Sequence, residues 1–116
     1  MSEMTKIEII TRQNKFEELK EALNEIGING MTVYNVLGYG AQRGHREKYR
    51  GAEYSIDLMP KIKVEMVVCS VPVDDVVNTA VRVLRTGEIG DGKIFISPVS
   101  KVIKVRTGET DRDALL

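Results

Sequence analysis

The chain is poor in the residues from which disulfides, metal centres and aromatic platforms are built. It has one cysteine, Cys69, and one histidine, His45, among 116 residues. A lone cysteine cannot close an internal disulfide, and one Cys with one His does not make a dedicated metal site. Tryptophan is absent and aromatics are 5% of the residues, so stacking of single-stranded nucleic acid has little material. Neither sign of charge is in surplus: Lys+Arg and Asp+Glu each number 17. A neutral chain offers no global field toward nucleic acid or an acidic membrane surface. No apolar run approaches the length of a bilayer span, and the charged N-terminal stretch lacks the apolar segment of a secretory signal. A cytoplasmic location is therefore expected.

What is present is ordinary for a globular protein: 42% hydrophobic and 29% charged residues. The length suits one domain over residues 1–116 with a modest core. Lys6 to Thr11 alternates loosely and is rich in Ile, as in a strand. Asn14 with Glu17 three residues on reads as an N-cap and capping box. Phe16, Leu19, Leu23 and Ile26 then recur at helical spacing, and Gly27 can end that helix. Met31 to Leu37 reads as a second strand, followed by a polar stretch over 38–60. Ile62, Val64, Met66 and Val68 alternate with Lys61, Lys63, Glu65 and Val67, the clearest strand signal in the chain. Pro72 suits a helix's first turn, and Val73, Val76, Val77, Ala80, Val83 and Leu84 form one stripe that Gly87 closes. Lys93 to Ile96 and Val102 to Arg106 read as two further strands, with a mobile charged tail after them.

The order β-α-β, long loop, β-α-β predicts an α+β fold. It matches a ferredoxin-like double βαβ, with an antiparallel sheet and both helices on one face. Ile and Val occupy both parities of several strands. The uncovered face is thus expected to be buried by other copies in a cyclic oligomer.

Three stretches stand out. TGEIGDGKIF, residues 86–95, nearly spells a P-loop through Gly87, Gly92 and Lys93. Ile94 stands where a P-loop needs Ser or Thr, and the order here is helix–loop–strand instead of strand–loop–helix. The parts still suit phosphate, because glycines let N–H groups converge on an anion. They equally suit a turn with a solvated Lys93. GYGAQRGHREKYRGAEY, residues 38–54, carries Arg43, His45, Arg46, Lys48 and Arg50 among four glycines, with Tyr49 and Tyr54. A loop this long is either a solvated hairpin or one that folds against a partner or ligand. KVIKVRTG, residues 101–108, places Lys104 and Arg106 on one strand face. Such a face is solvated, or it supplies counter-charge to a phosphate.

Together YRGAEY (49–54), TGEIGDGKIF (86–95) and VIKVRTGE (102–109), with GINGMTV (27–33) in support, resemble the PII nitrogen-regulatory proteins of the GlnB/GlnK type. The resemblance runs in register from Lys6 to Gly108. It implies a homotrimer of ferredoxin-like subunits in which ATP and ADP compete for clefts between subunits. With Mg2+ and ATP, 2-oxoglutarate binds beside the phosphates, and the long T-loop, about 38–59, switches partners. The tail over about 107–116 is then flexible.

Carried over by motif, Thr86, Gly90, Asp91, Gly92 and Lys93 would hold nucleotide phosphates. Thr32 and the backbone near Val67 would meet the adenine or ribose. Lys104 and Arg106 would reach phosphate across the subunit boundary. Gly38, Gly40, Ala41 and Gln42 would line the phosphate end. Gln42 would ligate Mg2+ and contact 2-oxoglutarate, alongside Gly90, and Lys61 would pair with a 2-oxoglutarate carboxylate. Tyr54 matches a tyrosine that is uridylylated in some members, and Arg50 one that plugs a channel pore. The implied partners are an ammonium-channel protein, glutamine synthetase, a transcription factor or a uridylyltransferase. Nucleic acid is not among them, and a membrane is met only through the channel.

The resemblance implies a regulator, not an enzyme; a slow ATPase or an energy-only sensor is the alternative. Three departures stand out. Ala41 replaces a common arginine, and Lys104 replaces another, keeping charge without the bidentate fork. TRQNKF, residues 11–16, replaces a segment that commonly reads Lys-Pro-Phe.

Overall fold

The computed structural model describes residues 3–39, 46–49, 52–55 and 58–116. Strand β1 (Thr5–Thr11) leads through a 3₁₀ turn (Gln13–Lys15) into α1 (Phe16–Glu25), and β2 (Thr32–Tyr39) follows. Two short strands, β3 (Arg46–Tyr49) and β4 (Ala52–Ser55), pair with each other inside the long loop. Then come β5 (Leu58–Val68), α2 (Val73–Leu84) and β6 (Lys93–Pro98), and the chain ends in α3 (Arg112–Leu115). The main sheet has the order β2-β5-β1-β6 with every pair antiparallel. This is the ferredoxin-like arrangement that the element order predicted.

Alternation along β5 decides which face is covered. Ile62, Val64, Met66 and Val68 are buried, and through the register they share a face with Ile7 and Ile9. Leu19 and Leu23 of α1 and Val76 and Ala80 of α2 close over that face at 0% exposure. Burying each such leucine is worth about 1.5–3 kcal/mol. The two helices also pack on each other.

Helix α1 ends as expected. Gly27 has φ 103°, the Ile28 N–H donates to the Leu23 carbonyl at 3.0 Å, and the Gly27 N–H donates to the Asn24 carbonyl at 3.1 Å. Buried Leu23 and Ile28 complete this Schellman closure with an apolar contact. Its start differs from the expectation. Asn14 lies within the 3₁₀ turn, the helix begins at Phe16, and no side chain caps it. The turn itself delivers the chain into the helix, with Lys15 N–H bonded to the Arg12 carbonyl at 3.2 Å. Helix α2 stops at Leu84, before Gly87, because Arg85 turns extended at ψ 123°. Pro72 is likewise one residue outside α2, its carbonyl accepting from Asp75 and Val76.

The expected strand over 102–106 does not join the sheet. Lys104 N–H bonds to the Glu109 carbonyl at 2.8 Å and Asp111 N–H to the Val102 carbonyl at 2.8 Å, so the segment pairs with its own return arm. The only bridge there is Ile103 to Thr110. The segment expected as a mobile tail forms that return arm and then α3.

The uncovered sheet face carries paired charges among its apolar residues. Lys6 pairs with Glu8 at 3.0 Å and Glu65 at 3.7 Å, and Lys63 pairs with Glu65 at 3.2 Å. The Lys63 ammonium lies 4.6 Å from the Tyr34 ring centre. Ile10, Val36, Val67 and Phe95 are the apolar share of that face. Among the described residues no helix is long and apolar enough to cross a membrane.

Candidate functional site

The loop between α2 and β6 is organised by one carboxylate. Asp91 accepts hydrogen bonds from the Thr86 hydroxyl, the Thr86 N–H at 2.7 Å, the Gly87 N–H at 2.9 Å and Arg12 Nη1 at 2.7 Å. The Thr86 hydroxyl first, then the Arg12 guanidinium and the two N–H groups, hold its carboxyl well below the usual carboxylate range. The converging N–H groups anticipated for this stretch do exist, but those of Thr86 and Gly87 close on an anion the chain supplies itself. Asp91 is therefore a brace of the loop.

Other groups fix the loop from the sheet. Arg12 Nη2 donates to the Ile89 carbonyl at 2.9 Å, and the buried Thr11 hydroxyl donates to the Asp91 carbonyl at 2.8 Å. Lys61 Nζ donates to the Gly90 carbonyl at 3.3 Å. Burial and the neighbouring Arg12 charge push the Lys61 ammonium below its ordinary value, and Asp91 draws it partly back. Gly38 faces this lysine: a Cβ there would sit 3.2 Å from Lys61 Cγ. Gly87, Gly90 and Gly92 all have positive φ, at 88°, 104° and 108°. At Gly92 the requirement is steric as well, since a Cβ would lie 1.9 Å from the Ile10 carbonyl oxygen. Lys93, exposed, opens β6 directly beyond.

The expected site residues fall into two groups. Gly38, Lys61, Thr86, Gly90, Asp91, Gly92 and Lys93 gather at the end of the sheet where Ile10 pairs with Lys63 and Lys93. Thr32 and Val67 lie at the other end, lining a cavity of about 600 Å³. Lys61 and Val67 are six residues apart along β5, roughly 20 Å at strand rise. Lys104 and Arg106 leave from this second end, since they follow Pro98, the partner of Thr5. Lys104 pairs there with Glu109 at 3.8 Å.

Gly40, Ala41, Gln42 and Arg50 lie outside the described residues. Tyr54 falls on β4, opposite Glu47. The Mg2+ ligand expected at Gln42 is thus not placed. Among the described residues no group of three or more His, Cys, Asp or Glu offers another metal site.

A model of the family described as "Nitrogen regulatory protein P-II" matches residues 4–109. The chain belongs to that family. The P-II protein of Klebsiella oxytoca is 52% identical over 112 residues, covering 97% of this chain and 100% of the relative. Among solved P-II structures, the B. subtilis GlnK–ATP complex superposes with a TM-score of 0.82 at 44% identity, covering 99% of both chains. Arabidopsis thaliana PII bound to citrate gives 0.77 at 42% identity, covering 97% of this chain and 92% of that one. The recognition of a P-II chain from three short motifs is confirmed.

Sequence reasoning passed over Arg12 in this P-II chain. TRQNKF stood out there only as a departure from the common Lys-Pro-Phe, with no role given to Arg12, yet Arg12 carries two of the bonds that hold the glycine loop. The signal was available in principle: an arginine directly after β1, in a fold that sets the end of β1 beside the start of β6.

Proposed function

We propose that this P-II chain is a nitrogen, carbon and energy sensor. It binds ATP or ADP and, with Mg-ATP, 2-oxoglutarate. Its T-loop then changes shape and controls ammonium transport and nitrogen-assimilation proteins. The observation that carries this reading is the division of the site. Phosphate-type groups gather at one end of the sheet and an open cavity of about 600 Å³, with room for a base, lies at the other. Their separation, roughly 20 Å at strand rise, supports a nucleotide shared between copies. A closed ring of three copies joins each glycine loop to the next copy's cavity, Lys104 and Arg106. The ATP complex of a similar protein supports the nucleotide, and the citrate complex of another supports a polycarboxylate effector.

In this reading Gly90, Gly92 and Lys93 meet phosphate, with Asp91 and Thr86 bracing them. Lys61 takes a 2-oxoglutarate carboxylate, and Gln42 ligates Mg2+ beside it. Arg50 makes the channel contact, and Tyr54 is the position open to uridylylation. The chain regulates and does not catalyse. A carboxylate held ionised by four donors, as Asp91 is, is a poor general base. Two negatively charged effectors cooperate only where cations offset their repulsion, and ADP lacks the γ-phosphate that completes the site.

The test is calorimetric titration with 2-oxoglutarate in the presence of Mg-ATP, of ADP and of no nucleotide. Binding in Mg-ATP alone is expected. Nucleotide binding without any 2-oxoglutarate response would reduce the protein to an energy sensor. Binding of neither nucleotide would overturn the assignment of the glycine loop to phosphate.

A further inference from the structure

Lys104 and Glu109 face each other where the chain doubles back after β6. Ile103 bridges Thr110, so the next pair in register is Lys104 with Glu109, and the Lys104 N–H donates to the Glu109 carbonyl at 2.8 Å. Side chains directly opposite on antiparallel arms stand next to each other. Lys104 Nζ lies 3.8 Å from Glu109 Oε1.

An ion pair at the surface contributes little when two long side chains must be ordered to hold it. Here one of the two is ordered already. The Thr107 hydroxyl donates to the same Glu109 Oε1 at 2.7 Å, and the Glu109 N–H donates back to Thr107 Oγ1 at 3.2 Å. Gly108, with φ 76°, makes the turn between them, and its N–H donates to the Lys104 carbonyl at 2.7 Å. The turn thus fixes the carboxylate, and the ammonium is the part that can leave. Lysine suits such an exchange. Its ammonium is a compact point charge on a flexible stem, without the fork by which an arginine locks onto one carboxylate.

We propose that Glu109 takes the place of phosphate at Lys104 within its own chain, and so sets nucleotide affinity by competing with it. The proposal rests on the nucleotide reading above, in which Lys104 of one copy meets the phosphates held by the glycine loop of another. The unliganded chain keeps the cation beside a carboxylate at 3.8 Å, and nucleotide binding transfers it to a phosphate. Affinity then reflects the difference between two contacts, not the phosphate contact alone. Glu109 touches no ligand; its effect passes through Lys104.

Glu109→Gln is the informative variant. The amide keeps an oxygen for the Thr107 hydroxyl and leaves the backbone bond to Lys104 in place, so the turn survives while the competing charge is lost. Calorimetric titration of the full chain with ATP is expected to give about two- to fivefold tighter binding in Glu109→Gln, the range of an exposed ion pair. Lys104→Met is expected to weaken ATP binding, and adding Glu109→Gln to it is expected to change nothing further. If Glu109→Gln alone binds ATP no more tightly than the unmodified chain, the proposal fails. Equal tightening in the Lys104→Met background would show a general loss of repulsion and overturn it too. Should Lys104→Met bind ATP as the unmodified chain does, Lys104 does not reach phosphate. The proposal then fails and the nucleotide reading stands on the glycine loop. If the unmodified chain binds no ATP, both fall together.

Discussion

Gly92→Ala is expected to abolish measurable ATP binding and to lower Tm by roughly 10 °C. Two costs combine at this position. The backbone has φ 108°, which an L side chain rarely adopts, and the added Cβ would sit 1.9 Å from the Ile10 carbonyl oxygen. That oxygen belongs to β1 at its pairing with β6, so it cannot withdraw without disturbing the ladder. Strain and enforced separation together cost about 3 kcal/mol. Gly87→Ala is the matched control. Its φ is 88°, but nothing lies within 4 Å of the added Cβ, so only the conformational penalty of about 1 kcal/mol remains. Differential scanning calorimetry with ATP titration checks both. Equal Tm losses for the two variants would show that the close approach to Ile10 is relieved cheaply.

Asp91→Ala should separate function from stability. The carboxylate sits at the surface, and its partners are loop N–H groups, a hydroxyl and Arg12. Removing it leaves the core intact but frees the loop to leave the arrangement proposed to meet phosphate. ATP affinity is expected to fall by more than about tenfold, with a smaller loss of Tm than in Gly92→Ala. The acid dependence has a definite sign. The folded-state pKa lies below the unfolded value, so the contribution of Asp91 is full at neutral pH and is lost only as pH falls below the ordinary carboxylate range. Loop-dependent ATP binding should therefore be insensitive to this group from neutrality down to about pH 5. A titration in that range that tracks Asp91, and disappears in Asp91→Asn, would contradict the account.

Legibility from sequence followed the range of the interactions. Strand β5 and the stripe on α2 could be read because burial imposes a period on neighbouring residues, and Val64 and Val76 obey it at 0% exposure. The Schellman closure at Gly27 could be read because all its partners lie within six residues. Asn14 misled because a side chain able to cap is not obliged to cap when a 3₁₀ turn already feeds the helix. The segment 102–106 misled because alternation shows extended backbone and says nothing about its pairing partner, here its own return arm. Asp91 was legible as part of a glycine motif but not as its brace, since its ion-pair partner Arg12 is 79 residues away in sequence. The division of the site between the two ends of the sheet is a property of strand register, which no motif carries.

That division has a consequence in mixed populations. A defect confined to the glycine loop, such as Asp91→Ala, leaves the cavity, Lys104 and Arg106 of the same chain in place. A defect in those basic residues leaves the loop untouched. In the ring of three copies proposed above, a mixture of both kinds of chain would regain a cleft with two sound halves, whereas either kind alone would have none. Two alleles that are each null for ATP binding would thus complement when co-expressed, and the restored activity would be limited by the fraction of clefts that happen to join sound halves.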